Sequence, residues 1–268
     1  MIKVGLIGYG KAGQAVARVL AEDSRFELCW IARASALNAD IELPVTVLEK
    51  ATFPDWLDQY PVDAIVDFSN AEAVLLYGEA VRQRKIMLVS AISGYPAETL
   101  DYIRDLGKDI RVMSSPNITL GINFLMLAAK LLRRIAPFAD IEIIEQHFRE
   151  KPEISGTAQR IAETLDVDNE RITSLRLGGI VGHHEVIFGF PYQTVRLIHN
   201  SIKREAFGTG TAFAVLQLAT CKPGLYTFDD ILLDLVGHEL QSGKPLQADR
   251  SWQRPTGHSS AEAKSQCK

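Results

Sequence analysis

Residues 2–20 read IKVGLIGYGKAGQAVARVL, and this stretch decides the fold. Ile2–Ile7 is a short apolar run ending at glycine, the signature of a buried strand. Gln14–Leu20 then places Val16, Val19 and Leu20 on one helical face. Between the two lie Gly8, Gly10 and Gly13, in the order G-x-G-x-x-G. Between a strand and a helix, each glycine has its own physical reason. Gly8 permits a tight turn, Gly10 lets a pyrophosphate approach the backbone, and Gly13 lets the helix pack close to the strand. Lys11 and Ala12 complete the turn, and the positive end of the helix dipole faces the phosphates. The stretch predicts a dinucleotide site opening a doubly wound sheet.

Downstream the same pattern continues. Phe26–Ala32 reads as a second strand, and the residue after it should read the adenosine ribose. An Asp or Glu there would hold a 2′-hydroxyl, but this chain offers Arg33, Ala34 and Ser35. Without a carboxylate nothing repels a 2′-phosphate, which suits the planar fork of Arg33, with Lys11 as a second cation. NADPH is the expected cofactor, with NADH possible. Val62–Phe68 and Ile86–Ser90 read as further strands with a helix from Ala71 to Val81 between them. Such alternation predicts an α/β unit, a Rossmann-like doubly wound parallel sheet with ligands beyond the carboxyl ends of its strands. Phe68 and Ser69 at one such end, and Ala91 and Ser93 at another, are candidates for ribose and nicotinamide contacts. Ordinary cap or turn roles are the alternative for them. Residues 115–123, SPNITLGIN, carry Pro116 and Gly121 and predict an irregular passage at a domain border. Asn117 and Thr119 there either contact cofactor or form the turn.

A second concentration of chemistry is EQHFREKPEISGT at 145–157, after the apolar run Ile141–Ile144. His147 and Lys151 can present protons, while Ser155, Gly156 and Thr157 can offer backbone N–H groups to an anion. The alternative is a charged solvated loop with Ser155 capping the next helix. Helices are expected at Phe124–Ile135, Ala158–Leu165, Phe207–Leu218 and Phe228–Val236. Ile172–Leu177, Glu185–Phe190 and Thr194–Ser201 are consecutive strands, predicting a smaller α+β domain with a mixed or antiparallel sheet. Its open edge calls for cover by oligomerisation. The expected domains are 1–122, dinucleotide-binding and completed by 223–250, and 123–222, for substrate and oligomerisation. A polar tail at 251–268 follows.

Composition excludes several classes. The chain has 268 residues, 47% of them hydrophobic, and a net charge of −4, which makes no electrostatic case for nucleic acid or an anionic membrane. No apolar run approaches the roughly 20 residues of a membrane span. Cys29, Cys221 and Cys267 form neither a disulfide framework nor a CxxC metal site, so a reducing, cytoplasmic location is expected. His183, His184 and His199 lack a completing ligand spacing, so no metal is expected. Hydrogen bonding within their domain, or at a subunit contact, is the role expected of them.

In order and spacing these blocks resemble the dihydrodipicolinate reductase (4-hydroxy-tetrahydrodipicolinate reductase) family, over nearly the whole chain except the tail. The resemblance rests on the glycine turn, DFS at 67–69, Ser93-Gly94, SPNITLGIN, and EQHFREK with SGTA at 155–158. It also includes RLGGIVGHHE at 176–185, RLIHNS at 196–201 and REAFGTG at 204–210. It implies NAD(P)H-dependent reduction of 4-hydroxy-tetrahydrodipicolinate to tetrahydrodipicolinate in lysine and diaminopimelate biosynthesis. A homotetramer and a small dicarboxylate substrate are implied as well. His147 matches the family's general acid, and Lys151 the lysine that binds substrate and helps handle the proton. Ser155, Gly156 and Thr157 match the turn that holds a carboxylate, and Ser93 the hydroxyl on the nicotinamide side. Three departures stand out. Phe148 replaces the segment's second histidine and is expected to form an apolar wall. The Lys151–Ser155 spacing is one residue shorter. Ala91 and Ile92 replace smaller or hydroxyl residues. One lost substrate hydrogen bond costs about 1–3 kcal/mol. A related reductase of another cyclic imine is therefore one alternative, and a non-catalytic NADPH-binding sensor another.

Overall fold

In the computed structural model, which describes residues 1–35 and 41–242, β1 (Ile2–Ile7) lies inside a parallel sheet. It pairs with β2 (Phe26–Arg33) on one side and β4 (Ala64–Asp67) on the other. Beyond β2 lies β3 (Val45–Val47), and beyond β4 follow β5 (Met87–Ser90), β6 (Arg111–Ser114) and β11 (Gly224–Tyr226). Every pairing in this seven-stranded sheet is parallel, and the chain reverses its direction of travel at β1. That reversal opens a crevice at the carboxyl ends of β1 and β4, where such sheets take their ligands. All four residues of β4 and all four of β5 are buried, because helices cover both faces.

One face carries α1 (Lys11–Glu22) and α7 (Glu205–Thr220), and Val16, Leu20, Phe213 and Leu218 share one core with β1. The other carries α2 (Phe53–Gln59), α3 (Val74–Gln83) and α4 (Ala97–Leu106), packed around Trp30, Phe53 and Tyr77. Burying each such side chain contributes about 1.5–3 kcal/mol. The short elements β3, α2 and β11 were not legible in the sequence, and α4 was not anticipated either. The helix expected from Ala71 begins at Val74.

The second sheet runs β10 (Gln193–Ser201), β9 (Gly182–Phe190), β7 (Asp140–His147), β8 (Ile172–Arg176). β7 and β8 are parallel and the other pairs antiparallel, so the sheet is mixed. One face packs on α5 (Leu120–Ile135) and α6 (Gly156–Leu165), joining Leu125, Ile161, Ile143 and Phe188 in a separate core. Successive strand residues point to opposite faces, so Ile141, Ile143, Glu145 and His147 of β7 all turn inward.

Two corrections follow at the junction. α5 starts at Leu120 rather than Phe124, so Gly121 lies in a helix and not in the irregular passage. A Cβ at Gly121 would stand 2.9 Å from the His199 ring, so glycine lets α5 approach β10. In turn α7, expected with the second sheet, packs on α1: a Cβ at Gly208 would stand 2.5 Å from Val19. The chain returns to the first sheet at Glu205 and stays there through α8 (Phe228–Ser242). Among the described residues no helix is long and apolar enough to cross a membrane. The expected tail at 251–268, and 243–250 before it, lie outside the described residues.

Candidate active site

On the first sheet the site is shaped by missing side chains. Gly8 has φ +90°, and a Cβ there would lie 2.5 Å from the Phe68 carbonyl carbon. A Cβ at Gly13 would lie 2.1 Å from the Gly8 oxygen. Gly10 differs: its φ is −75°, and nothing lies within 4 Å of a Cβ placed on it. Neither strain nor internal crowding demands glycine at 10. What the glycine preserves is open approach to the backbone ahead of the α1 N-terminus, and a pyrophosphate fits that cradle.

Several of the predicted cofactor residues lie around this turn. Lys11 is exposed at the first position of α1, with Ala12 half-buried behind it. Arg33 ends β2, half-buried and without a side-chain partner among the described residues. Phe68 follows β4 beside Gly8. The Ser69 hydroxyl donates inward to buried Asp67 at 2.5 Å, and the Ser69 N–H donates to the same oxygen at 2.8 Å. Asp67 also accepts from the Tyr77 hydroxyl at 2.6 Å, and burial pushes its pKa up. Ser69 therefore shapes the turn with its hydroxyl instead of offering it outward. The Ala91 N–H donates to the Asp67 carbonyl at 2.9 Å, tying the next strand end to the same point. The Ser90 and Tyr95 hydroxyls are hydrogen-bonded just behind it.

Two hollows meet between the sheets. One, of about 450 Å³, is lined by Ser93 from the first sheet and Lys151, Ser155, Gly156 and Thr157 from the second. The other, of about 250 Å³, is lined by His147, His184, His199, Lys203 and Arg204. Asn117 and Thr157 line both, and the Asn117 amide donates to the Thr157 hydroxyl at 3.4 Å to form the partition. The Asn117 side-chain Oδ1 accepts from the Thr119 N–H and hydroxyl at 3.2 and 2.9 Å, so Asn117 both makes its turn and reaches the site. No carboxylate lines the smaller hollow, and Lys203 and Arg204 have no ionic partner among the described residues. A cationic hollow of this kind favours an anion.

Behind the hollows lies a buried charge network. Glu145 is 0% exposed, and one of its oxygens stands 2.5 Å from His147 Nδ1. Arg176 donates to both Glu145 oxygens, at 2.8 and 3.0 Å, while Ser174 donates its hydroxyl at 2.7 Å and Ser155 its N–H at 3.2 Å. Burial alone would raise the carboxyl; these hydrogen bonds prevail and hold its pKa down at about 2. His184, 4% exposed, meets the Ser155 hydroxyl through Nε2 at 2.9 Å. Burial, and then the neighbouring His147 and His199, hold His184 neutral with a pKa of about 3.

Several expectations change in this light. His147 and Lys151 do not share one hollow; the Asn117–Thr157 partition stands between theirs. Phe148 is 42% exposed and lines neither, so it is not the expected apolar wall. Ser155 spends its N–H on Glu145 and its hydroxyl on His184, leaving Gly156 and Thr157 at the start of α6 to meet an anion. The sequence reading missed Lys203 and Arg204, whose signal was an adjacent basic pair opening a helix. It also gave Glu145 no role. The signal there was a carboxylate and an imidazole at i and i+2, which share one face of a strand. Among the described residues no group of three His, Cys, Asp or Glu side chains is placed to hold a metal ion.

Comparisons with known proteins cover nearly all of the described chain. Residues 2–118 match the family model described as dihydrodipicolinate reductase, N-terminus, and residues 118–232 match dihydrodipicolinate reductase, C-terminus. The 4-hydroxy-tetrahydrodipicolinate reductase of Caldanaerobacter subterraneus is 32% identical over 256 residues, 83% of this chain and 94% of that one. The Clostridium perfringens reductase of the same name is 32% identical over 259 residues, 87% of this chain and 98% of that one. Among solved structures, the dipicolinate-bound dihydrodipicolinate reductase of Paenisporosarcina sp. TG-14 superposes with a TM-score of 0.74 at 24% identity. That match covers 85% of this chain and 97% of the other.

Proposed function

The chain belongs to the dihydrodipicolinate reductase family, and from that premise we propose how its two hollows divide the work of one reaction. The reaction is the NAD(P)H-dependent reduction of 4-hydroxy-tetrahydrodipicolinate to tetrahydrodipicolinate in lysine and diaminopimelate biosynthesis. A bound reduced nicotinamide supplies hydride from its C4. The chain holds the substrate and provides the proton.

The observation that carries this reading is the larger hollow, where Ser93 of the first sheet faces Lys151 and the α6 N-terminus of the second. A carboxylate of the substrate sits there, on the Lys151 ammonium and the Gly156 and Thr157 N–H groups. The second carboxylate crosses the Asn117–Thr157 partition to Lys203 and Arg204, which supply the charge that Phe148 cannot. In that pose the ring lies beside His147, whose Nε2 gives the proton. His147→Ala is expected to cut turnover by roughly 10²–10⁴-fold with NADPH affinity unchanged. NADPH absorbance is followed with the product of dihydrodipicolinate synthase as substrate, and unchanged turnover removes His147 from the chemistry. Lys203→Met with Arg204→Met is expected to raise KM more than it lowers kcat; a wild-type KM sends the second carboxylate elsewhere.

NADPH is the preferred cofactor in this reading, on the strength of Arg33 and Lys11. Arg33→Asp should weaken NADPH far more than NADH by calorimetry, and equal losses discard the preference. The working unit is a homotetramer built on the second sheet. Supporting this, Ile198 of edge strand β10 and Leu175 of edge strand β8 are exposed apolar residues. Light scattering that returned a monomer's mass would overturn it. A reducing, cytoplasmic setting suits the unpaired thiols of Cys29 and Cys221.

A further inference from the structure

We propose that Glu145 is a positioning residue for His147, its carboxylate holding Nδ1 so that Nε2 is the nitrogen that surrenders the proton. The inference rests on the reading of His147 as proton donor and adds the group that makes that donor directional.

Alternation along β7 puts Glu145 and His147 on the same buried face, two residues apart, with 0% and 8% exposure. A carboxylate buried alone costs several kcal/mol, so this one persists only because its surroundings answer it. Arg176 grips both oxygens, and Ser174 and the Ser155 N–H occupy the oxygen that His147 does not use. The remaining oxygen meets Nδ1 at 2.5 Å. Every group around Glu145 is a donor. The carboxyl stays ionised and can only accept, so Nδ1 keeps its hydrogen whether the ring is charged or neutral.

The proton free to leave is then the one on Nε2. A Cβ at Gly182 would stand 3.2 Å from that nitrogen, so glycine keeps it uncovered on the smaller hollow. The other charged or titratable groups facing it are Lys203, Arg204 and His199 on the hollow wall, neutral His184 with its ring 5.4 Å away, and Arg176 opposite on β8. Arg176 balances the Glu145 charge, so the carboxylate acts by orientation and choice of tautomer more than by net field. In the step itself the Nε2–H bond breaks and the proton passes to the substrate. The electron pair remains on Nε2, leaving the neutral ring protonated at Nδ1. Solvent returns a proton to Nε2 between turnovers.

A mutant cycle with a tautomer readout tests this. In Glu145→Gln an amide N–H can face Nδ1 and stabilise the wrong tautomer. Its kcat is expected to fall about 10²–10⁴-fold, with KM within about threefold of wild type. The double variant Glu145→Gln/His147→Ala should be no slower than His147→Ala alone, because both act through one group. The nitrogen spectrum of His147, assigned by its loss in His147→Ala, should report Nδ1–H in wild type and Nε2–H in Glu145→Gln. If Glu145→Gln does not accumulate folded, Glu145→Asp keeps the charge for Arg176 but withdraws the acceptor by one methylene. It should show the same kcat loss and the same lack of additivity. Wild-type kcat in the folded variant, or a further full-sized loss when it is combined with His147→Ala, overturns the role of Glu145 while leaving His147 in place. Wild-type turnover in His147→Ala overturns both.

Discussion

At the glycine turn the chain makes a site by removing atoms, whereas around Glu145 it makes one by adding them. Gly8 and Gly13 let the turn fold on itself, and Gly10 leaves a ligand open approach to backbone and a helix end. Glu145, Arg176, Ser174 and Ser155 instead fill buried volume with charge and hydrogen bonds to fix one imidazole. The difference teaches where each half is fragile. The first fails by steric intrusion, the second by losing a partner and stranding a buried ion.

Losing a partner should have the larger effect. Arg176→Met leaves Glu145 buried without its guanidinium, with only the Ser174, Ser155 and His147 contacts remaining, for an expected loss of about 3–5 kcal/mol, read from the urea midpoint. A loss near zero would mean the carboxyl has found water or taken a proton. Next comes intrusion inside the turn. Gly13→Ala puts a carbon 2.1 Å from the Gly8 oxygen, and about 1–3 kcal/mol should disappear as α1 shifts. Gly10→Ala separates packing from ligand approach: the added Cβ meets nothing within 4 Å, so unfolding should stay within about 0.5 kcal/mol of wild type. NADPH affinity should nevertheless fall, and an unchanged calorimetric Kd would remove the pyrophosphate from that turn.

Acid probes the side-chain half through His184 and Glu145. Burial holds His184 neutral with a pKa of about 3, well below its usual 6.5, so the unfolded chain binds a proton that the folded chain refuses. The His184 contribution to stability is therefore full above pH 6.5 and is lost as pH falls towards 3, by roughly 1.4 kcal/mol per pH unit. The depressed Glu145, at about 2 against its usual 4.5, adds a second loss only below pH 4.5. His184→Gln, whose amide reaches the Nε2 position, should flatten the upper part of that slope; an unchanged slope assigns it to another group. Smallest of all is the exposed pair Arg104–Asp101, a contact of 2.6 Å between two solvated side chains. Arg104→Ala should move stability by less than about 0.5 kcal/mol.

Legibility followed the same division. The glycine turn, its strand and its helix were readable because each rule there acts within about a dozen residues of chain. The switch to a second sheet, mixed or antiparallel, was readable from strand after strand without helices between, and the parallel β7–β8 pair decided for mixed. β3 and β11, three residues each, were not, because they are strands only by pairing with β2 and β6. α7 was assigned to the wrong neighbour for a related reason, since its partner Val19 lies nearly 190 positions away. Within the site, His147, Lys151 and Ser155–Thr157 were singled out by residue type. That Ser155 faces inward to Glu145 and His184, that Phe148 lines neither hollow and that Lys203 and Arg204 line one depended on distant strands.

By itself the sequence determined a glycine-shaped turn on a buried first strand, an α/β unit followed by a smaller α+β one, and a short segment rich in proton carriers. Those follow from periodicity and local backbone sterics, which act between near neighbours. The tertiary structure alone decided which nitrogen of His147 faces the hollow, which cations join it, and how Glu145 remains charged in the core. Those depend on burial and on partners from separate strands and helices, which only the folded chain brings within a hydrogen bond of one another.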